Sequence, residues 1–190
     1  MTLANAITLV RIVLIPCFGY LWWRGHHGWA LGVFALASLT DWLDGFVARL
    51  LNQSTKLGQI LDPAADKLLM LVCFLVAAAI GAVPRWLTAL VIGRDLVLAF
   101  GAALFAFVLR GRHDPERWKP TRLGKYSTFV QVMTIGLALT VSMTNYRPLV
   151  PFLWAMSVHA AVLTVLSLLQ YVGLGVRALV GGKLATGGAT

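Results

Sequence analysis

Apolar residues run along this chain in long, nearly unbroken stretches, and the elements they predict are helices. Six stretches, at about 6 to 23, 28 to 49, 60 to 81, 86 to 109, 126 to 144 and 151 to 175, are near the ~20 residues an α-helix needs to cross a hydrocarbon core ~30 Å thick. The predicted class is therefore all-α: a polytopic membrane protein built as a single bundle of six transmembrane helices. Connections are short except for 110 to 125, which leaves no room for a separate soluble domain. Residues 1–180 are expected to form the membrane domain. The Gly-, Ala- and Thr-rich stretch 181–190 is expected to be a flexible tail. No internal repeat supports a solenoid or an inverted-repeat transporter.

Composition sharpens this reading. Of the 190 residues 59% are hydrophobic and only 12% charged, a balance suited to lipid as the surrounding solvent. The formal charge of +9 does not indicate nucleic acid, because the Lys and Arg residues cluster in short segments between apolar runs without interleaved aromatics. Membrane lipids with anionic headgroups are the expected partner. With the N-terminus inside, one side carries Arg49, Lys56, the basic cluster of 110 to 125, Arg177 and Lys183, and the other only Arg24, Arg85 and Arg147. The positive-inside rule then places both termini in the cytoplasm, and the cell inner membrane is the expected location. A cleaved leader is not expected, since the first apolar run lacks a basic flank and contains Arg11. Trp22, Trp23 and Trp86, near span ends, read as interfacial anchors. Cys17 and Cys73 lack metal or redox spacing and are assigned no function.

The chemistry lies in the acids. Only seven exist, and five of them, Asp41, Asp44, Asp62, Asp66 and Asp95, fall within or at the edge of apolar spans, where an aspartate costs about 2.5 to 3.5 kcal/mol at a helix centre. Asp41 and Asp44 are three apart, Asp62 and Asp66 four apart, so each pair shares a helix face. The short segment 50 to 59 makes spans two and three antiparallel neighbours and brings the four carboxylates together near the cytoplasmic boundary. Arg49 and Lys67 are too few to neutralise them. Hard oxygen donors in this number suit two divalent ions, Mg²⁺ or Mn²⁺. Gly45 and Gly58 offer close approach to a ligand or, alternatively, between helices.

The pattern Asp41-x-x-Asp44-Gly45-x-x-Ala48-Arg49, eight residues, then Gly58-x-x-x-Asp62-x-x-x-Asp66 resembles the signature of the CDP-alcohol phosphotransferase family, whose six-helix membrane core covers nearly the whole chain. The resemblance implies transfer of a phosphatidyl group from CDP-diacylglycerol to an alcohol, with release of CMP. It implies that Asp41 and Asp62 touch both metals, that Asp44 completes the first and Asp66 the second, and that Asp66 is also the general base. Gly45, Arg49, Thr55 and Gly58 would contact the CDP-diacylglycerol, helped by Asn5, Thr8 and Arg11, although an Arg in a first span is also able to snorkel to the interface. A homodimer is compatible with this resemblance.

The acceptor follows from weaker features. Arg94, Arg122 and Lys125 are candidate acceptor contacts, with the alternative that Arg94 simply pairs with Asp95. His159 reads as a packing residue. The stretch Asp62 to Lys67 is similar to that of phosphatidylglycerophosphate synthases and ranks glycerol 3-phosphate first. Arg94-Asp95, Lys119-Pro120-Thr121 and Gly124-Lys125-Tyr126-Ser127-Thr128 are more similar to CMP-forming cardiolipin synthases, whose acceptor is phosphatidylglycerol. A cation transporter is the rival from another class, disfavoured because the acids cluster near one boundary rather than lining a path. Asn52→Cys and Thr121→Cys, each in a background without Cys17 and Cys73, should react with an impermeant thiol reagent from the cytoplasmic side only. Labelling from outside would invert the orientation.

Overall fold

A computed structural model describes residues 3–51, 56–108 and 121–184, with backbone alone described for 3–8, 40–51, 56–63, 102, 104–108 and 177–184. These residues form six α-helices: α1 Leu3–Trp23, α2 His27–Leu51, α3 Lys56–Ala79, α4 Arg85–Val108, α5 Arg122–Thr144 and α6 Val150–Leu184. A 3-10 turn, Arg147–Leu149, precedes α6, and no strand occurs among the described residues. The helices follow the six apolar stretches, and α6 continues beyond its own.

Among the described residues, three connections contain a residue in the left-handed region. Gly25 (φ 81°) ends α1, where the His26 N–H donates to the Leu21 carbonyl at 2.9 Å. Gly81 (φ 76°) ends α3 in the same way, with the Ala82 N–H on the Ala77 carbonyl at 2.7 Å. A Cβ at either position would be strained, whereas Asn145 (φ 52°), after α5, is of a type that tolerates this region.

The chain divides into two compact units, each described by itself. The first comprises Met1–Arg85 and Val132–Trp154. Here α1 packs on both α2 and α3. Arg11, Ile15, Phe18 and Trp22, at spacings of four, three and four, form a fully buried stripe along α1. Phe18 meets Trp22 at 5.5 Å and Phe34 of α2 at 5.8 Å between ring centroids. Trp22 is thus a core residue rather than the interfacial anchor expected, because the helix register turns it inward, while Trp23 beside it is 64% exposed. Gly19, on the adjoining face, lets α3 approach so closely that a Cβ there would lie 2.9 Å from Val72 Cγ1.

The second unit comprises Trp86–Gln131 and Ala155–Thr190. Its interior is polar along one line. The Gln131 amide donates to Thr164 Oγ1 at 2.8 Å, Ser127 Oγ lies 3.4 Å from that same oxygen, and the Thr121 N–H donates to the Tyr171 hydroxyl at 3.0 Å. These partners advance along α5 as they retreat along α6, so the two segments run antiparallel. His159 is exposed and lies edge-on to Tyr126 at 6.3 Å between ring centroids.

The core is largely apolar with several buried polar groups, and large apolar side chains also cover the exterior. Gln131, Thr164 and Ser167 are buried, while Trp29 and Phe100 are 75% and 71% exposed. Among the described residues two helical segments, Arg122–Thr144 and Arg147–Val176, are long and apolar enough to cross a membrane, and Leu9–Trp23 and His27–Leu39 are shorter apolar segments. Gly19→Leu should lower stability by about 1 to 3 kcal/mol through overpacking against Val72. Thermal unfolding in detergent checks this, with Gly32→Leu, which meets open space, as the neutral control.

Candidate active site

An arginine within an apolar helix must leave it, pair, or face a wet cavity. Arg11 pairs. The stripe that buries Phe18 and Trp22 also carries position 11, and its guanidinium Nη1 donates to Asp66 Oδ1 of α3 at 2.9 Å. The Arg11 side chain is 0% exposed and that of Asp66 50%. A fully desolvated cation is thus set against a carboxylate that keeps half its surface accessible. The snorkelling alternative for Arg11 is excluded by this burial, and the described contact of Arg11 is with a carboxylate of the signature.

The pair also sets helix directions. Arg11 meets Asp66 and Gly19 meets Val72, so α1 and α3 run parallel. α2, reversed at Gly25 and touching α1 through Phe34, runs antiparallel to both. The N-terminal part of α1, the C-terminal part of α2 and the N-terminal part of α3 therefore share one end of the first unit. Helical backbone passes through positions 5, 8, 41, 44, 45, 49, 58 and 62. The side chains of Asn5, Thr8, Asp41, Asp44, Gly45, Arg49, Gly58 and Asp62 lie outside the described residues, as does Thr55 altogether. Among the described residues no three Asp, Glu, His or Cys side chains converge, because Asp66 is the one signature aspartate among them.

The candidate acceptor residues belong to the second unit. Arg94 is buried and its Nη1 donates to Asp95 Oδ1 at 2.7 Å, the pairing alternative of the sequence reading. Its Nε makes no hydrogen bond. Arg122 and Lys125 are exposed on the first turn of α5. Thr121 caps that turn, its Oγ1 accepting from the Gly124 N–H at 3.0 Å. Sequence reasoning had no role for Tyr171, whose hydroxyl meets this cap. A lone tyrosine late in an apolar helix was the signal available.

The chain belongs to the CDP-alcohol phosphatidyltransferase family, whose sequence profile matches residues 1–169. It is similar to the CMP-forming cardiolipin synthase of Rattus norvegicus, at 38% identity over 159 residues covering 76% of this chain and 52% of that protein. It is also similar to a probable CMP-forming cardiolipin synthase of Drosophila melanogaster, at 33% over 181 residues, covering 88% of this chain and 56% of that protein. A probable phosphatidylglycerophosphate synthase of Mycobacterium tuberculosis is 36% identical over 143 residues, covering 71% of this chain and 64% of that protein. The chain spans a little over half the length of these relatives.

Arg11→Met exchanges a buried cation for an apolar side chain of similar length, and Asp66, half accessible, can be solvated without it. Midpoints of thermal unfolding for Arg11→Met and the parent should therefore agree within a few degrees. Turnover should fall at least about tenfold as the carboxylate loses its fixed orientation. Unfolding of the variant with full activity per folded molecule would remove this role.

Proposed function

We propose that the chain is a phospholipid-synthesising transferase that moves the phosphatidyl group of CDP-diacylglycerol to a glycerol-type alcohol and releases CMP. The observation that carries this reading is the Asp66 carboxylate, held on one oxygen by the fully buried Arg11 and still half accessible, in a chain of this family. The acceptor hydroxyl oxygen attacks the phosphorus bearing the diacylglycerol, a new P–O bond forms, the pyrophosphate P–O bond breaks with CMP leaving, and the hydroxyl proton passes to Asp66. Fixing one carboxylate oxygen restricts the orientations in which the group can meet that proton.

The other signature residues enter on helix register. The contact of Phe18 with Phe34 sets positions of α1 and α2 level when their numbers sum to 52, from 18 + 34. Continued along unbroken helices, that relation brings position 41 level with 11 and position 44 level with 8. Arg11 with Asp66 and the parallel course of α3 put 66 at the level of 11 and 62 near that of 7. Four aspartate positions then fall within about 6 Å along the bundle axis at a rise of 1.5 Å per residue. Asp41, Asp44, Asp62 and Asp66 are proposed as the hard oxygen donors for two Mg²⁺ or Mn²⁺ ions, which when bound would offset charge on the pyrophosphate. Gly45, Arg49, Thr55 and Gly58, with Asn5 and Thr8, are proposed for the donor nucleotide and pyrophosphate.

The apolar exterior supports immersion in lipid; six spans, with both termini and the aspartate end on the cytoplasmic side of the inner membrane, are part of the same proposal on the strength of the charge distribution. Of the acceptors, phosphatidylglycerol now has the stronger support, ahead of the glycerol 3-phosphate that the signature alone ranks first. Asp95 ties up the charge of Arg94, a cation that a phosphomonoester would use, while relatives of the two names match at similar identity, 33 to 38% for the cardiolipin synthases and 36% for the phosphatidylglycerophosphate synthase.

Purified protein given labelled CDP-diacylglycerol, Mg²⁺ or Mn²⁺, and each acceptor in turn should release CMP and form cardiolipin from phosphatidylglycerol. Lipid product from glycerol 3-phosphate alone would restore the other acceptor, and no turnover with either would reject the enzyme. Asp66→Asn should remain folded with turnover lowered by at least about a hundredfold, the scale of a lost general base. Substantial turnover at saturating metal would take that role from Asp66.

A further inference from the structure

Three observations converge on the entry to α5. The Thr121 N–H, which precedes the helix and has no intrahelical carbonyl to bond, donates to the Tyr171 hydroxyl at 3.0 Å. A Cβ on Gly124 would lie 2.9 Å from that hydroxyl oxygen and 3.1 Å from Tyr171 Cε2, so glycine is what allows the tyrosine to lie across the turn. The cap closes through the Gly124 N–H on Thr121 Oγ1, and the Lys125 N–H follows on the Thr121 carbonyl at 3.1 Å. Tyr171 thus grips both ends of the turn from which Arg122 and Lys125 project into solvent.

We propose that Tyr171 is a positioning residue for acceptor recognition, fixing the first turn of α5 so that the Lys125 ammonium is presented in one place to the acceptor's phosphate. This rests on the reading of Lys125 as an acceptor contact. Tyr171 touches no reacting atom. A flexible ammonium has little directional preference of its own, so its location is set by the backbone that carries it. The register supports the role: Gln131 meets Thr164, and seven residues towards the start of α5 Gly124 meets Tyr171, seven residues further along α6. Tyr171 is therefore the last rung of the polar seam, where the helix pair would otherwise fray.

The test is steady-state kinetics of the full chain in mixed micelles, varying CDP-diacylglycerol and phosphatidylglycerol separately. Tyr171→Phe should raise KM for phosphatidylglycerol about five- to tenfold, the equivalent of one net hydrogen bond, with KM for CDP-diacylglycerol unchanged. Gly124→Ala should raise the same KM, and by a smaller factor in the Tyr171→Phe background, where the hydroxyl it strikes is absent. Lys125→Ala separates the two layers. If it raises the acceptor KM while Tyr171→Phe does not, the positioning role is wrong; if it leaves the acceptor KM unchanged, the reading beneath is wrong. A uniform loss of kcat and thermal stability without a KM split would make Tyr171 merely structural. Amide hydrogen exchange over residues 121 to 125 is independent of turnover and should accelerate in Tyr171→Phe. Unchanged exchange overturns the proposal even in a preparation without activity.

Discussion

A guanidinium cannot be stripped of water along its whole length unless an opposite charge meets it, and in the first unit that requirement joins two helices. Arg11 lies on the stripe of α1 that also buries Ile15, Phe18 and Trp22, so it has no route to solvent. Its partner, Asp66, must come from α3 at the same level. Once that contact is made, eight residues further along α1 the missing Cβ of Gly19 accommodates Val72, and the two helices run in parallel at close range. The parallel course, together with the reversal at Gly25, carries the signature-bearing ends of α2 and α3 to the end where α1 begins. One ion pair therefore sets both packing and the place where chemistry is proposed.

The asymmetry of the pair matters as much as its existence. A carboxylate buried as fully as Arg11 would be matched in charge but closed to any ligand, whereas Asp66 is half accessible. The buried partner restricts orientation and the accessible one meets substrate, an arrangement suited to a residue that must hold still and still exchange a proton.

Polar contacts organise the second unit by the same logic at lower stakes. Where apolar side chains cover most faces of both helices, apolar contact alone says little about register, and hydroxyl and amide pairs contribute to it at roughly 0.6 kcal/mol each. Gln131 with Thr164, and Thr121 with Tyr171, align α5 with α6 in this way. Arg94 and Asp95, neighbours in sequence, pair within a single turn of α4.

Helix number and approximate limits were legible in the chain because long apolar runs separated by short polar segments leave a simple record. The left-handed turns at Gly25 and Gly81 were equally local. What could not be read was which face of each helix turns inward. Arg11 marks the stripe of α1 that contains Trp22, but a snorkelling arginine would have marked an outer face instead, so the inward face stayed open and an interfacial Trp22 was a natural expectation. The partnership of Arg11 with Asp66, 55 residues apart, and of Tyr171 with Thr121, 50 apart, was hidden for the same reason. Periodicity reports inward faces only where one face is polar. In a helix that is apolar on nearly every face, orientation is decided by close packing and by the few polar groups that must find one another, and those are properties of the assembled helices alone.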